Sequence, residues 1–465
     1  MLDDFLKLCG FEDADFKKDG TRVERAFEIA ELNSADIDKA EDRVRKYFDI
    51  ELLGIRKLLG IWIKEFSDLV LAKEEGKKVV YPVYPPVTQI GLAAMMTSED
   101  IYVCPPEVVI DVVLGSIIGK LDPLLEAAEV TGMGPGLAHC ALLQARYGAI
   151  VKGVAPVPDL TLSTGFFCDQ APKIDELIHE VYDVPNVFID RCYDPQWNEW
   201  PEIGLRSAGY FGKEIDKSME VLKKVVGFEL TDELKKAAFK QNAKGWFTYL
   251  TLLEYMKADP VPLTANDLIT IAFIMCINPM RRFINEGPAA FSTLFKEVKQ
   301  RVAQGKGVTA KGAPRVLMPI TSFVDPSVIH MISRELGIAV PVCGITSLTP
   351  REMEKTKLKD FGGRIAESTL KKGFFHSTDA QIEYLKEVAQ IWNVDGIILN
   401  YLFSCRPVAI FPLMAKRQIE KELGIPVLAL EYDLYDSRDY SVQQVRTRVE
   451  TFAELLKLNK MEEAA

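Results

Sequence analysis

From residue 1 to about residue 77 the apolar positions recur every three or four residues, as in Leu52, Ile55, Leu59, Trp62 and Phe66, with almost no strand-like alternation. That spacing predicts a helical N-terminal segment over 1–77. The pattern changes at Lys77 to Pro86, where Val79, Val80, Tyr81 and Val83 read as a short strand that Pro82 and the Pro85-Pro86 pair confine and then stop. Further strands are expected at Asp159 to Ser163, behind Pro156 and Pro158, and at Asn186 to Asp190, with a helix from about Lys173 to Val181 between them. Residues 205–305 return to helical spacing, with Asp232 to Lys257 as one long run, before the polar, glycine-rich stretch Gln304 to Ala313 marks a boundary.

Beyond that boundary the punctuation is clear. A strand at Arg315 to Ile320 leads to Asp325-Pro326, an N-cap followed by proline at the first helical position, and the helix stops at Gly337. Ile338 to Val342 is the next strand. Thr349 with Glu352, and Thr378 with Gln381, have the spacing of capping boxes, the second opening a helix that ends near Trp392. Strand Gly396 to Asn400, helix Leu413 to Leu423, strand Pro426 to Glu431 and a final helix from about Val442 to Leu456 complete the alternation. Strands separated by helices imply parallel sheets covered on both faces. The predicted fold is α/β: a helical segment (1–77), a first Rossmann-like domain (78–204), a helical insertion (205–305) and a second Rossmann-like domain (312–465).

Composition narrows the function. The net charge of -11, from 56 basic and 67 acidic side chains without a segregated basic patch, opposes a phosphate backbone and excludes nucleic acid as the expected partner. The acidic start lacks the features of a secretory signal, and no apolar stretch approaches membrane-spanning length, so a soluble cytoplasmic protein is expected. The eight cysteines are scattered, unlike a secreted disulfide framework. In a reducing compartment they are thiols or metal ligands.

Cys168 follows one expected strand and Cys405 follows another, so both face the edge where ligands of open α/β sheets collect. Cys140 stands after Gly132-Met-Gly-Pro-Gly136 at the start of an apolar segment; a helix N-terminus there would lower its pKa and favour a metal-binding thiolate. A lone free cysteine is more often a small buried residue than a ligand, and spacing alone does not bring these three together. Cys9, Cys192, Cys276 and Cys343 read as buried or incidental, while Cys104, in Tyr102-Val-Cys-Pro-Pro, is a reserve ligand. The glycine cluster at 132–136 does not follow a strand and breaks the dinucleotide-loop pattern. The four histidines lack ligand spacing; His139 adjoins Cys140 and is a candidate to tune a metal bound there. Arg406 reads equally as a donor to a group bound beside Cys405 and as a salt-bridge partner, whereas Arg438, Arg446 and Arg448 read as surface pairs.

The run Asp395-Gly-Ile-Ile-Leu-Asn-Tyr-Leu-Phe-Ser-Cys405-Arg-Pro, then Ala415-Lys-Arg-Gln-Ile-Glu, Gly424-Ile-Pro-Val-Leu, Glu431-Tyr-Asp433-Leu-Tyr-Asp-Ser-Arg438 and Thr447-Arg448-Val-Glu450, resembles the C-terminal signature of the 2-hydroxyacyl-CoA dehydratase and benzoyl-CoA reductase family. Cys140 with its helix, Pro156-Val-Pro158-Asp159 and Phe167-Cys168-Asp169 are similar to the family's middle region. The resemblance covers about residues 78–457, and the Ser404-Cys405-Arg406-Pro407 context is similar to the larger, substrate-activating subunit. It implies one 4Fe-4S cluster held by Cys140, Cys168 and Cys405, anaerobic metabolism, and a heterodimer with a related second iron-sulfur subunit.

It also implies that ATP-driven injection of one electron into an (R)-2-hydroxyacyl-CoA thioester gives a ketyl radical that expels the 2-hydroxyl group, a lyase reaction. Three thiolates, against the four of ordinary electron-transfer clusters, leave one iron position for water, sulfide or a substrate oxygen. This chain has no Gly-x-x-x-x-Gly-Lys-Ser/Thr loop, so the resemblance assigns ATP hydrolysis to a separate activator with its own 4Fe-4S cluster. A benzoyl-CoA reductase-type subunit that reduces an aromatic ring, and a cluster-bearing relay that never touches substrate, remain as alternatives. Adjacent Cys-Cys pairs of a double-cubane reductase and Cys-x-x-Cys pairs of a zinc protein are both missing.

Overall fold

The computed structural model describes residues 1–82, 91, 96, 98–134, 140–166, 168–191, 200, 202–277, 280–319, 325–344, 349–372, 376–402, 404–409, 411–433, 435–438 and 440–464. The strands described form two four-stranded sheets, parallel throughout. The first holds β1 (Lys78–Pro82), β2 (Ile101–Val103), β3 (Leu160–Thr164) and β4 (Asn186–Ile189) in the order β2-β1-β3-β4. The second holds β5 (Arg315–Pro319), β6 (Ala339–Gly344), β7 (Gly396–Tyr401) and β8 (Val427–Glu431) in the order β6-β5-β7-β8. Each sheet thus repeats one winding, and chain direction across the sheet reverses between its first and third strands. That reversal opens a crevice outside the carboxyl ends of β1 and β3, and of β5 and β7.

One acidic residue pins the third strand to the first in both sheets. Asp159, immediately before β3, accepts a hydrogen bond from the Val79 N–H at 2.7 Å and donates its own N–H to the Val79 carbonyl at 2.7 Å. Asp395, immediately before β7, makes the same pair with Arg315 at 2.6 and 2.7 Å. β3 is buried along its whole length and β7 nearly so, because helices cover both faces.

The helix Leu53–Leu71 is enclosed on all sides from Leu58 onward, packing against Asp13–Ile29 and Gly287–Ala303. The apolar face formed by Leu52, Ile55, Leu59, Trp62 and Phe66 is buried as its spacing predicts, but Lys64, Glu65 and Asp68 on other faces are buried too. Lys64 reaches Asp15 at 2.5 Å and Glu286 at 2.8 Å. Glu65 accepts from the Tyr102 hydroxyl at 2.7 Å through one oxygen, and its other oxygen has no hydrogen-bond partner. Burial, with the Asp68 charge adding, pushes its carboxyl up to about 8.

The folded state therefore holds the Glu65 proton more tightly than the unfolded chain does. Its contribution to stability is complete below the ordinary carboxylate pKa and is lost as pH rises through about 8. Glu65→Gln removes that dependence while leaving a pH-independent cost for the extra N–H. Thermal unfolding of both proteins from about pH 5 to about pH 9 should show the variant gaining on the wild type as pH rises. Parallel curves would exclude a buried neutral acid at this position.

Two helices on either side of the chain's midpoint meet backbone to backbone. Leu205–Val226 crosses Phe361–Leu370 so closely that a Cβ on Gly362 would stand 2.0 Å from the Gly212 carbonyl oxygen. Only glycine permits that approach, and it ties the helical region to the second sheet.

Some expectations shift in detail. Asp325 caps Ser327 at 2.8 Å with Pro326 behind it, as expected, but Met331–Glu335 winds as a π-helix before Gly337 turns the chain at φ +68. The Thr349–Glu352 box opens only the 3₁₀ turn Pro350–Met353, and the Thr349 hydroxyl finds no hydrogen-bond partner among the described residues. At the second box the cap is Ser377, one residue earlier than expected, and the Gln381 amide donates to the His376 carbonyl at 3.0 Å. β2 is too short at three residues to show as an alternation. Among the described residues no helix is long and apolar enough to cross a membrane.

Candidate functional site

Cys168 lies four residues beyond the end of β3, and Cys405 four residues beyond the end of β7. They hold the same topological position in the two sheets, each at the crevice beside the third strand. Cys140 is the N-cap of the helix Ala141–Val151, its carbonyl accepting from the Leu143 and Gln144 N–H groups at 3.0 Å. The ionisation of Cys140 is opposed by the charges of Asp433, Cys168 and Cys405, and that of Cys405 by Cys168.

A lowered Cys140 pKa is not what the structure gives. Burial raises all three thiols; at Cys140 the Asp433 carboxylate adds to it, and the Leu143 N–H opposes it only weakly. Cys168 and Cys405 keep part of their surface open, yet enough protein surrounds them for desolvation to dominate. The Cys168 sulfur accepts from the Ala171 N–H at 3.4 Å, which favours the thiolate. Without a cation these groups stay protonated; a bound metal would supply the missing positive charge and release the protons.

One side chain joins the three segments. Gln170, buried at the start of the helix Gln170–Tyr182, accepts from the Cys140 N–H at 2.9 Å and donates to the Ser404 carbonyl. Asp433 accepts from the Ala141 N–H at 3.5 Å. Behind them, Arg146 on the Cys140 helix meets Asp175 on the Cys168 helix at 2.5 Å and Glu107 at 3.5 Å, all three fully buried. Burial pushes Asp175 up to about 7 against the pull of Arg146, with Glu107 adding to the rise.

Asn400 is fully buried, and among the described residues neither of its amide atoms nor the buried Ser404 hydroxyl has a hydrogen-bond partner. Orphaned buried polar groups are rare in native proteins, and these two fall within the five residues before Cys405. A bound inorganic group with hydrogen-bond acceptors fits both the thiol triangle and the unused donors. Among the described residues no three His, Cys, Asp or Glu side chains stand close enough to hold a single metal ion.

Gln170, Asp433, Asn400 and Ser404 were not among the site residues read from the sequence. Proximity in sequence to Cys168 and Cys405 was a signal for three of them; Asp433 offered only its place in the C-terminal signature. The groups acting most on Cys104 are Glu65, Tyr102, Glu107 and Arg146, and it is fully buried at the end of β2. Cys9 and Cys343 are fully buried free thiols. Arg438 pairs with Asp436 and Glu129, Arg446 with Glu335 and Glu450, and Arg448 donates to the Ala429 carbonyl. His139, Cys192 and residues 83–89, together with the side chains of Cys276 and Arg406, lie outside the described residues.

Two repeated parallel sheets with cysteines at matching crevices define the class, and comparison with known proteins agrees. Residues 104–456 match the model of the 2-hydroxyglutaryl-CoA dehydratase D-component family, and the chain belongs to that family. It is 23% identical over 316 residues to the alpha subunit of (R)-2-hydroxyglutaryl-CoA dehydratase from Acidaminococcus fermentans, covering 65% of this chain and 61% of that one. The alpha subunit of (R)-2-hydroxyisocaproyl-CoA dehydratase from Clostridioides difficile is 22% identical, with 85% of this chain and 94% of that one covered. One of the subunits of benzoyl-CoA reductase from Thauera aromatica is 22% identical, with 68% and 76% covered.

Proposed function

We propose that this chain is the 4Fe-4S subunit of an (R)-2-hydroxyacyl-CoA dehydratase, with Cys140, Cys168 and Cys405 holding the cluster. The observation that carries this reading is the placing of two thiols at equivalent crevices of the two sheets and of the third at a helix N-terminus, their segments joined by Gln170, beside polar groups that lack partners among the described residues. When bound, the cluster supplies a strongly reducing electron to the thioester carbonyl of an acyl-CoA. The residues of this chain place and shelter that chemistry: the loops after β3 and β7 set the thiols, Gln170 holds the loops together, and Asn400 and Ser404 offer hydrogen bonds. Burial of the surrounding carbonyls and amides keeps water from competing for them.

The reading includes a related second subunit, a separate ATP-hydrolysing activator with its own cluster, and a cytoplasmic location. The helical segment and the two sheets would then be separate domains with boundaries near 77, 205 and 312. Near-equal identity to the Thauera benzoyl-CoA reductase chain supports ring reduction as a second reading.

The test is strictly anaerobic purification followed by iron and acid-labile sulfide analysis, and electron paramagnetic resonance of the reduced protein. About four irons per chain are expected, and turnover of (R)-2-hydroxyacyl-CoA thioesters once partner and activator are added. Intact protein without iron would overturn the cluster; reduction of benzoyl-CoA without dehydration would favour the second reading.

A further inference from the structure

Three strands of observation meet at Gln170. Its carboxamide oxygen accepts from the Cys140 N–H at 2.9 Å, and its carboxamide nitrogen donates to the carbonyl of Ser404, the residue before Cys405. The N–H of the next residue, Ala171, donates to the Cys168 sulfur at 3.4 Å. Gln170 is 2% exposed, so solvent does not replace these contacts if they are lost. Cys140 and Cys168 belong to the segments around the first sheet and Ser404 to the loop leaving the second, so this one amide also spans the two sheets.

We propose that Gln170 is the positioning residue of the three-thiol site, its amide fixing the spacing of Cys140 and Cys405 about the Cys168 loop and thereby the retention and potential of the bound cluster. The inference rests on the cluster reading above. The chemistry demands an amide at this position: one end must accept and the other donate. Glutamate keeps the acceptor but turns a carboxylate toward the Ser404 carbonyl, where both groups are acceptors. Methionine keeps the length and offers neither bond. Asparagine keeps both functions on a shorter arm and cannot reach both loops at once.

Outer-shell hydrogen bonds of this kind hold metal ligands in place, and their loss weakens metal binding by about 10–100-fold. Gln170→Met and Gln170→Glu, purified anaerobically beside the wild type, are compared in chelator-driven iron loss, in the resonance spectrum of the reduced protein and in reduction midpoint potential. Circular dichroism and thermal unfolding of the iron-free proteins report folding separately. The expected result is iron loss faster by about tenfold or more, with a changed spectrum or potential in whatever cluster survives, on a fold that melts cooperatively.

Wild-type retention, spectrum and potential in both variants would overturn the proposal while leaving the cluster reading intact. A wild type that binds no iron sinks the cluster reading instead, and the positioning role is then decided on the iron-free proteins by bridging the thiols with dibromobimane. Slower bridging in the variants supports a spacing role for Gln170, and equal bridging overturns it. If Gln170→Met fails to fold, the decision passes to Gln170→Glu, whose lost bond is the one to Ser404. Iron loss, potential and thiol bridging in Gln170→Glu that match the wild type count against the proposal.

Discussion

Alanine in place of Cys140, Cys168 or Cys405 should each time leave a folded protein almost free of iron. A cluster held by three thiolates has no spare ligand, so each loss removes a third of its anchorage and opens an edge to solvent and chelators. The cost to the fold is small by comparison, because exchanging a cysteine for alanine deletes a single sulfur. Iron per chain, read against the wild type and against Cys343→Ala as a buried-thiol control, decides the matter. A single variant that keeps its full iron would remove that cysteine from the ligand set. Cys104→Ala should keep its iron too, since its strongest electrostatic neighbours are Glu65, Tyr102, Glu107 and Arg146 rather than the other thiols.

The second large effect lies far from the thiols. Arg282, almost fully buried, donates to Asp19 at 2.7 Å and to Asp68 at 2.7 Å, and reaches Glu286 at 3.2 Å. Burial works against its charge, but hydrogen bonds and attraction from Asp68 and Asp19 hold it ionised well above its ordinary value. Arg282→Met leaves two buried carboxylates short of their main counter-ion, a change that costs about 3–5 kcal/mol in buried pairs. Arg22 also reaches Asp19 at 3.1 Å and Asp68 at 2.7 Å, which places the expected loss near the lower end of that range. Denaturant unfolding should therefore show a much earlier transition. Adding Asp19→Asn and Asp68→Asn to Arg282→Met should recover most of it, because the stranded charges carry the penalty. If the triple variant is no more stable than the single one, lost packing rather than stranded charge is the cause.

The α/β class, the two sheets and the order of strands and helices in the second half were legible because each element carries its own local mark. Asp325-Pro326 caps a helix where the pair predicts one, and apolar runs such as Ile397 to Leu399 sit in a strand buried on both faces. Where the outcome depends on packing, local marks fail. The π-winding of Met331–Glu335 and the stunted turn after Thr349 leave no trace in the periodicity. A helix N-terminus at Cys140 was readable, but the rise of its pKa was not, since desolvation and Asp433 are contributed by segments remote in sequence. The matching positions of Cys168 and Cys405 follow from strand order, which hydrophobic spacing does not encode. Gln170 shows the same limit: its neighbour Cys168 drew notice, yet a glutamine at the first turn of a helix looks like any solvated residue until both ends of its amide find partners.

The division of the proposed site between two sheets sets an order of events in the living cell. The ribosome releases Cys140 and Cys168 well before Cys405, and no contiguous half of the chain carries the full triangle. During that interval the nascent protein exposes a dithiol rather than a finished receptacle, open to oxidants and to adventitious zinc. On the proposed reading, iron and sulfide would be installed only after the last α/β unit has closed against the first. Cluster delivery would then belong to maturation after synthesis, and a strain short of assembly factors should accumulate a complete, folded and empty polypeptide rather than fragments.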